Sequence, residues 1–139
     1  MVDAPYQAAH VSELPALVAP DGSTPVVFRG VRRYFGIQSF GVNAIVAEKA
    51  GDAAVEEHAE ADEGGTGHEE LYFVGSGHAT FTVGGETVEA PAGTFVYVRD
   101  PTVVRSAVAR ADGTTVLAVG GLPGVPFSVS SWEDEWAVD

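Results

Sequence analysis

Two short pairs hold the residues best suited to chemistry, His58-x-Glu60 and His68-x-Glu70. On an extended strand residues i and i+2 face the same way, so each pair would aim an imidazole and a carboxylate at one point. Two such pairs on neighbouring strands would offer up to four nitrogen and oxygen donors, a set suited to one divalent Zn, Ni, Fe or Mn ion. His58, Glu60, His68 and Glu70 are therefore the candidate metal ligands. They read equally as surface or hydrogen-bonded structural groups, because His-x-Glu arises readily in an acidic stretch. Tyr72 shares a strand face with His68 and Glu70, and those three are the candidate ligand-binding residues if that face points inward. The other polar groups have less context. His78 shares its face with Thr80 and Thr82 and reads as solvent-side. Arg29, Arg32 and Arg33, and again Arg99 and Arg105, read as counter-charges on an acidic surface or across a subunit interface, with anion recognition as the alternative.

These residues sit in an unusual electrostatic setting. Between Glu48 and Glu70 lie nine acidic residues and one cation, Lys49, within a chain of 139 residues whose net charge is −13. A surface so negative repels phosphate, so nucleic acid is not an expected partner. The absence of cysteine excludes disulfides, thiolate metal sites and cysteine nucleophiles. Met1 to Val18 has no basic region, and its apolar runs are broken by Pro5, Glu13 and Pro15. No signal peptide or membrane span is expected there, and the expected compartment is the cytoplasm. No phosphate-cradling glycine loop and no G-x-S-x-G elbow occurs.

The elements that must position the candidates are strands. From about Val26 to Val119 the sequence runs in short apolar or alternating segments cut by Gly, Pro and Asp-Gly. Gly77, Gly85 and Gly93 fall eight residues apart, the rhythm of a β-meander, and Gly84-Gly85 is a two-residue hairpin signal. Strands are predicted at 38–47, 54–58, 71–74, 79–83, 86–89, 94–98, 103–109 and 114–119, enough for a sandwich or jelly roll. Short helical segments are expected at Ser12-Glu13-Leu14-Pro15 and from Ser131 to Trp136, the second setting Trp132 and Trp136 on one face as a packed lid. One domain over 1–139 is expected, with a core at about 26–120, an N-terminal arm over 1–25 and a C-terminal tail over 121–139.

The run from Glu70 through Leu71, Tyr72, Phe73, Val74, Gly75 and Ser76 to Gly77, with Phe81 to Glu86 and Pro91-Ala92-Gly93-Thr94, resembles the central segment of the cupin superfamily. The resemblance spans about residues 40–120 and implies an all-β double-stranded β-helix, the cupin jelly roll. The family's first motif reads G-x5-H-x-H-x3-4-E-x6-G. Its second half is intact as Glu70-x6-Gly77, while its first half is altered: six residues separate Gly51 from His58, Glu60 takes the second histidine position, and nine residues separate Glu60 from Glu70. The second motif, G-x5-P-x-G-x2-H-x3-N, runs from Gly93, but Arg99, Pro101, Val104 and Val108 fill its other positions. The fourth ligand position is thus Val104, which has no donor. Cupins with all four ligands hold a divalent metal on three histidines and a glutamate, and many are dioxygenases, isomerases or decarboxylases. The resemblance also implies a homodimer, with the N-terminal arm involved.

Three functional readings follow. In the first, the barrel binds a small molecule at His68, Glu70 and Tyr72 without the usual metal chemistry, which the loss at Val104 favours. In the second, His58, Glu60, His68 and Glu70 hold a metal for dioxygenase- or isomerase-type chemistry, which the paired His-x-Glu favours. In the third, the chain acts through a dimer surface, with the Trp132/Trp136 helix as its support.

Overall fold

A computed structural model describes residues 4–20, 26–61 and 66–138 of the chain. Asp62 and Glu63 of the acidic stretch lie outside the described residues. Eleven strands and two short helices follow one another as β1 (Ala16–Val18), β2 (Phe28–Arg29), α1 (Val31–Phe35), β3 (Gly41–Ala47), β4 (Ala53–His58), β5 (Glu69–Ser76), β6 (His78–Val83), β7 (Glu86–Pro91), β8 (Phe95–Val98), β9 (Arg105–Ala109), β10 (Thr114–Gly121), α2 (Ser131–Glu135) and β11 (Ala137–Val138). A 3-10 turn at Val11–Glu13 precedes them, capped by His10, one residue earlier than the sequence suggests. Two antiparallel sheets result, ordered β11-β1-β2-β3-β10-β5-β8 and β4-β9-β6-β7. This is the expected all-β jelly roll. Gly84 and Gly85 turn the β6–β7 hairpin with φ of 57° and 83°, the positive values that a type I′ turn demands.

Alternation decides which side chains enter the barrel. On β5 the inward residues are Val74, Tyr72 and Glu70; on β9 they are Ala109, Ala107 and Arg105. Register aligns these series into layers. Ile45, Val116 and Val74 form an apolar layer across β3, β10 and β5; the next layer is Asn43, Ala118 and Tyr72; the last is Gly41, Gly120 and Glu70. The closed end is sealed by Phe81 against Tyr72, their rings 5.6 Å apart, and by fully buried Ala54, Ala79, Ala90 and Ala109. Apolar surface removed from water there drives the fold. Toward the other end the inward residues become polar or lose their side chains, and the barrel stays hollow.

Two features outside the expected pattern matter for the site. Helix α1, unmarked in the sequence reading, ends at Gly36 in the left-handed conformation, φ 69°. Strand β1, within the expected N-terminal arm, pairs with both β2 and β11.

Gly77 has φ 76°, and a Cβ there would lie 2.4 Å from the Thr114 hydroxyl oxygen and 2.8 Å from the Thr114 Cα. Gly93 has φ 94° but open space around it. Gly77→Ala is expected to lower unfolding free energy by about 2 kcal/mol more than Gly93→Ala, combining backbone strain with overpacking. Urea unfolding checks this, and equal losses would refute the steric role of Gly77.

Candidate functional site

At the hollow end, β4, β5 and β9 bring four charged side chains together. His58 ends β4 directly opposite Arg105 of β9, and Glu70 faces them from β5. His58 Nε2 lies 2.8 Å from Glu60 Oε2 and 3.4 Å from Glu70 Oε1, while its Nδ1 contacts the Glu56 carbonyl oxygen at 2.7 Å. Arg105 Nη1 donates to Glu70 Oε1 at 3.0 Å and lies 3.9 Å from Glu60 Oε2. The Tyr72 hydroxyl donates to the same Glu70 oxygen, and the Thr66 hydroxyl donates to Glu60 at 2.5 Å.

Burial alone would lower the His58 pKa. Hydrogen bonds to Glu60, to Glu70 and to the Glu56 carbonyl, with the charge of Glu70, outweigh it and raise the pKa to about 10. Burial would raise Glu60, but hydrogen bonds from His58 and Thr66 and the charges of His58 and Arg105 hold it below the usual carboxylate range. The Tyr72 hydroxyl is pushed up by burial and by Glu70 and stays a donor. The imidazole of His58 and the guanidinium of Arg105 thus stand against the carboxyl groups of Glu60 and Glu70.

From the sequence, Arg105 reads as a counter-charge on an acidic surface or across a subunit interface, with anion recognition as the alternative. The structure corrects this: Arg105 is fully buried and Val104, the position lacking a donor, is 47% exposed. The phase of β9 is fixed by small inward residues at Ala107 and Ala109, so the next inward position is Arg105. Arg29, Arg32 and Arg33 are also corrected. Arg29 donates to the Leu14 carbonyl, Arg32 makes a buried ion pair with Glu133, and Arg33 donates to the carbonyls of Glu133 and Trp136. Arg32 and Arg33 fasten the C-terminal segment to the barrel, and Arg29 ties β2 to the segment that leads into β1.

That segment closes one wall of a cavity of about 420 Å³ above the charged cluster. Trp132 and Trp136 stack at 4.7 Å between ring centres, and both lie within 5.7 Å of Phe28. The expected packing role of this tryptophan pair is thus met within the chain's own barrel. Asn43 and Glu133 add a second polar pair on the cavity lining, which sequence reasoning missed. Tyr72, Glu70 and His68 all line the cavity. His68, however, precedes β5, with its amide held by the Thr66 hydroxyl at 3.2 Å and its ring 5.9 Å from that of Phe127. It shares the cavity face of Glu70 and Tyr72, its Nδ1 standing over Gly120 beside the Glu70 side chain, but it does not join the converging donors.

Those donors are His58, Glu60 and Glu70, whose ligand atoms lie within 4.8 Å of one another and could hold a metal ion. The contact of His58 Nδ1 with a carbonyl leaves Nε2 facing the carboxylates, the arrangement of many metal-bound histidines. Arg105 does not fit such an ion. A divalent cation on Glu70 would stand beside a solvent-free guanidinium, a repulsion on the order of several kcal/mol even at an effective dielectric near 20.

The architecture matches solved structures over most of the chain. A cupin protein from Bacteroides fragilis aligns over 93% of this chain and 96% of its own, with 17% identity and TM-score 0.62. The fold is that of the cupins. A cupin-superfamily sugar phosphate isomerase from Silicibacter pomeroyi aligns over 82% of this chain and 74% of its own, with 15% identity and TM-score 0.62. A predicted oxalate decarboxylase from Thermotoga maritima aligns over 82% and 97%, with 18% identity and TM-score 0.59. No family model and no curated protein matches the sequence. Glu70 and Gly77 keep the spacing of the second half of the motif, and the buried Arg105 follows Val104, the position without a donor.

Removing Glu70 would take away the only carboxylate hydrogen-bonded to the buried Arg105 among the described residues and leave it Glu60 at 3.9 Å. Glu70→Ala is expected to cost about 3–5 kcal/mol in urea unfolding, and Glu70→Leu with Arg105→Met to recover much of that loss. A loss below about 1 kcal/mol for Glu70→Ala would show the pair to be unimportant. Because the folded pKa of His58 is raised from 6.5 to about 10, its stabilising contribution is complete below 6.5 and lost as pH rises toward 10. Thermal unfolding followed from neutral to alkaline pH should decline in this window, with a shallower decline in His58→Gln. Identical profiles would refute the assignment.

Proposed function

We propose that this cupin-fold chain binds a small organic molecule inside the barrel, with Arg105 as a built-in cation beside His58, Glu60 and Glu70. The observation that carries this reading is Arg105, fully buried and bonded to Glu70 at the hollow end of the barrel. A guanidinium neutralises the carboxylates permanently and orients Glu70 from behind. Tyr72 fixes the same carboxylate from below, and the half-buried His58 and Glu60 present polar atoms toward the cavity. Above them an aromatic wall of Phe28, Trp132 and Trp136 supplies apolar contact. Such a combination, apolar walls with a few convergent polar groups, suits a compact organic ligand.

A second reading, a metal-dependent enzyme of the isomerase or dioxygenase type, is favoured by the convergence of His58, Glu60 and Glu70 within 4.8 Å. Two fold neighbours are described as enzymes, a sugar phosphate isomerase and a predicted oxalate decarboxylase.

Elemental analysis of untagged protein, followed by a thermal-shift screen of small molecules on chelator-treated protein, separates the two. The first reading expects substoichiometric metal, unchanged in His58→Ala, and ligand-induced stabilisation that is lost in Trp132→Ala. Near-stoichiometric metal that disappears in both His58→Ala and Glu70→Ala would overturn it and establish the second.

A further inference from the structure

The cavity's chemistry points to a ligand class. Its described lining includes Glu56, Glu57, Glu60, Glu70 and Glu133; against them stand the His58 imidazolium, beside Glu60 and Glu70, and no lysine or arginine. The two guanidiniums that answer part of this charge stand behind the wall, Arg105 against Glu70 and Arg32 against Glu133, with side chains 0% and 7% exposed. An acidic lining alone would define no site. The deciding group is Asn43, inward on β3 and 9% exposed. Its Nδ2 donates to Glu133 Oε1 at 3.4 Å, which fixes the amide orientation. The atom left over is Oδ1, a buried acceptor with no partner among the described residues. Flipping the amide would set that oxygen against a carboxylate, so the unmet need is for a donor. A ligand N–H placed there removes the penalty of an unsatisfied buried acceptor. Beside it, on the helix that carries Glu133, stand the Trp132 and Trp136 rings, whose π faces attract cations.

We propose that the cavity selects a small organic ammonium ion with an apolar body. Its N–H groups would meet Asn43 Oδ1 and Glu133, and its carbon skeleton would lie on Trp132, Trp136 and Phe28. Anionic molecules, including sugar phosphates and dicarboxylates, are rejected by the carboxylates of the lining. This rests on the small-molecule reading above and gives it a substrate class.

The chain has two tryptophans, both on this wall, so intrinsic fluorescence reports on the cavity alone. The full-length protein is titrated with three probes of matched shape: cyclohexylmethylammonium, cyclohexylmethanol and cyclohexanecarboxylate. The ammonium probe is expected to bind about tenfold more tightly than the alcohol, in line with a desolvated cation–π contact, and the carboxylate not at all. Added salt should weaken the ammonium alone. Asn43→Leu should lower ammonium affinity about tenfold, as loss of a hydrogen bond to a charged donor does, with circular dichroism checking the fold. The wild-type probe series decides the matter even if that variant fails to fold. Tightest binding by the alcohol or the carboxylate would overturn the ammonium selectivity and leave small-molecule binding standing. Absence of quenching by all three at millimolar concentration would overturn both.

Discussion

A guanidinium with no access to water is tolerable only where carboxylates meet it, and Arg105 imposes that condition on the whole polar end of the barrel. Glu70 must face inward from β5, which fixes the phase of that strand and buries Tyr72 and Val74 behind it. Glu60 must return toward the barrel after β4, where the Thr66 hydroxyl and the imidazole of His58 hold it. The Coulomb gain of such a cluster offsets a large desolvation cost, so its value lies in specifying one arrangement as much as in net stability. The apolar layers beneath are under a weaker constraint: they need volume and alternation.

The cavity exists because side chains shrink just where the polar layer begins. Gly41, Gly120 and Ala118 leave the space that Ile45 and Val116 fill one or two layers below. A Cβ on Gly120 would come within 3.4 Å of Glu70 and His68 side-chain atoms, and one on Gly41 within 3.2 Å of Phe127. The hollow and its wall are therefore set by the same few small residues. Fold alone does not settle what occupies such a space; the groups that line it do.

Much of this was legible in the sequence, and the parts that were not share a cause. The eight-residue glycine rhythm and Gly84-Gly85 gave away the meander because positive φ is a local demand, met at those positions. His58, Glu60 and Glu70 were visible through strand periodicity and the cupin resemblance. Arg105 was misread because charge is the strongest single sign of exposure, although Ala107 and Ala109 at alternate positions marked its face as inward. His68 shares the cavity face that alternation assigns it, but its ring packs toward Phe127 and stays out of the group formed by His58, Glu60 and Glu70. Arg32–Glu133 and Asn43–Glu133 join residues 101 and 90 positions apart, and no local pattern announces such partners.

That long separation bears on the order in which the molecule assembles. The barrel can close through its hairpins and neighbouring strands, but the aromatic wall waits for residues 127–136 to come back across it. Bringing distant segments together carries an entropic cost that nearby contacts do not. The ligand-facing wall is held by the buried Arg32–Glu133 ion pair, the Arg33 bonds to two carbonyls, the Asn43–Glu133 hydrogen bond, the contacts of both tryptophans with Phe28 and the pairing of β11 with β1. The same contacts tie the aromatic wall to one edge of the larger sheet, through α1, β1 and β2, so a substitution there would be felt in the shape of the cavity while the β3–β10–β5 pairing that carries its polar groups stays untouched.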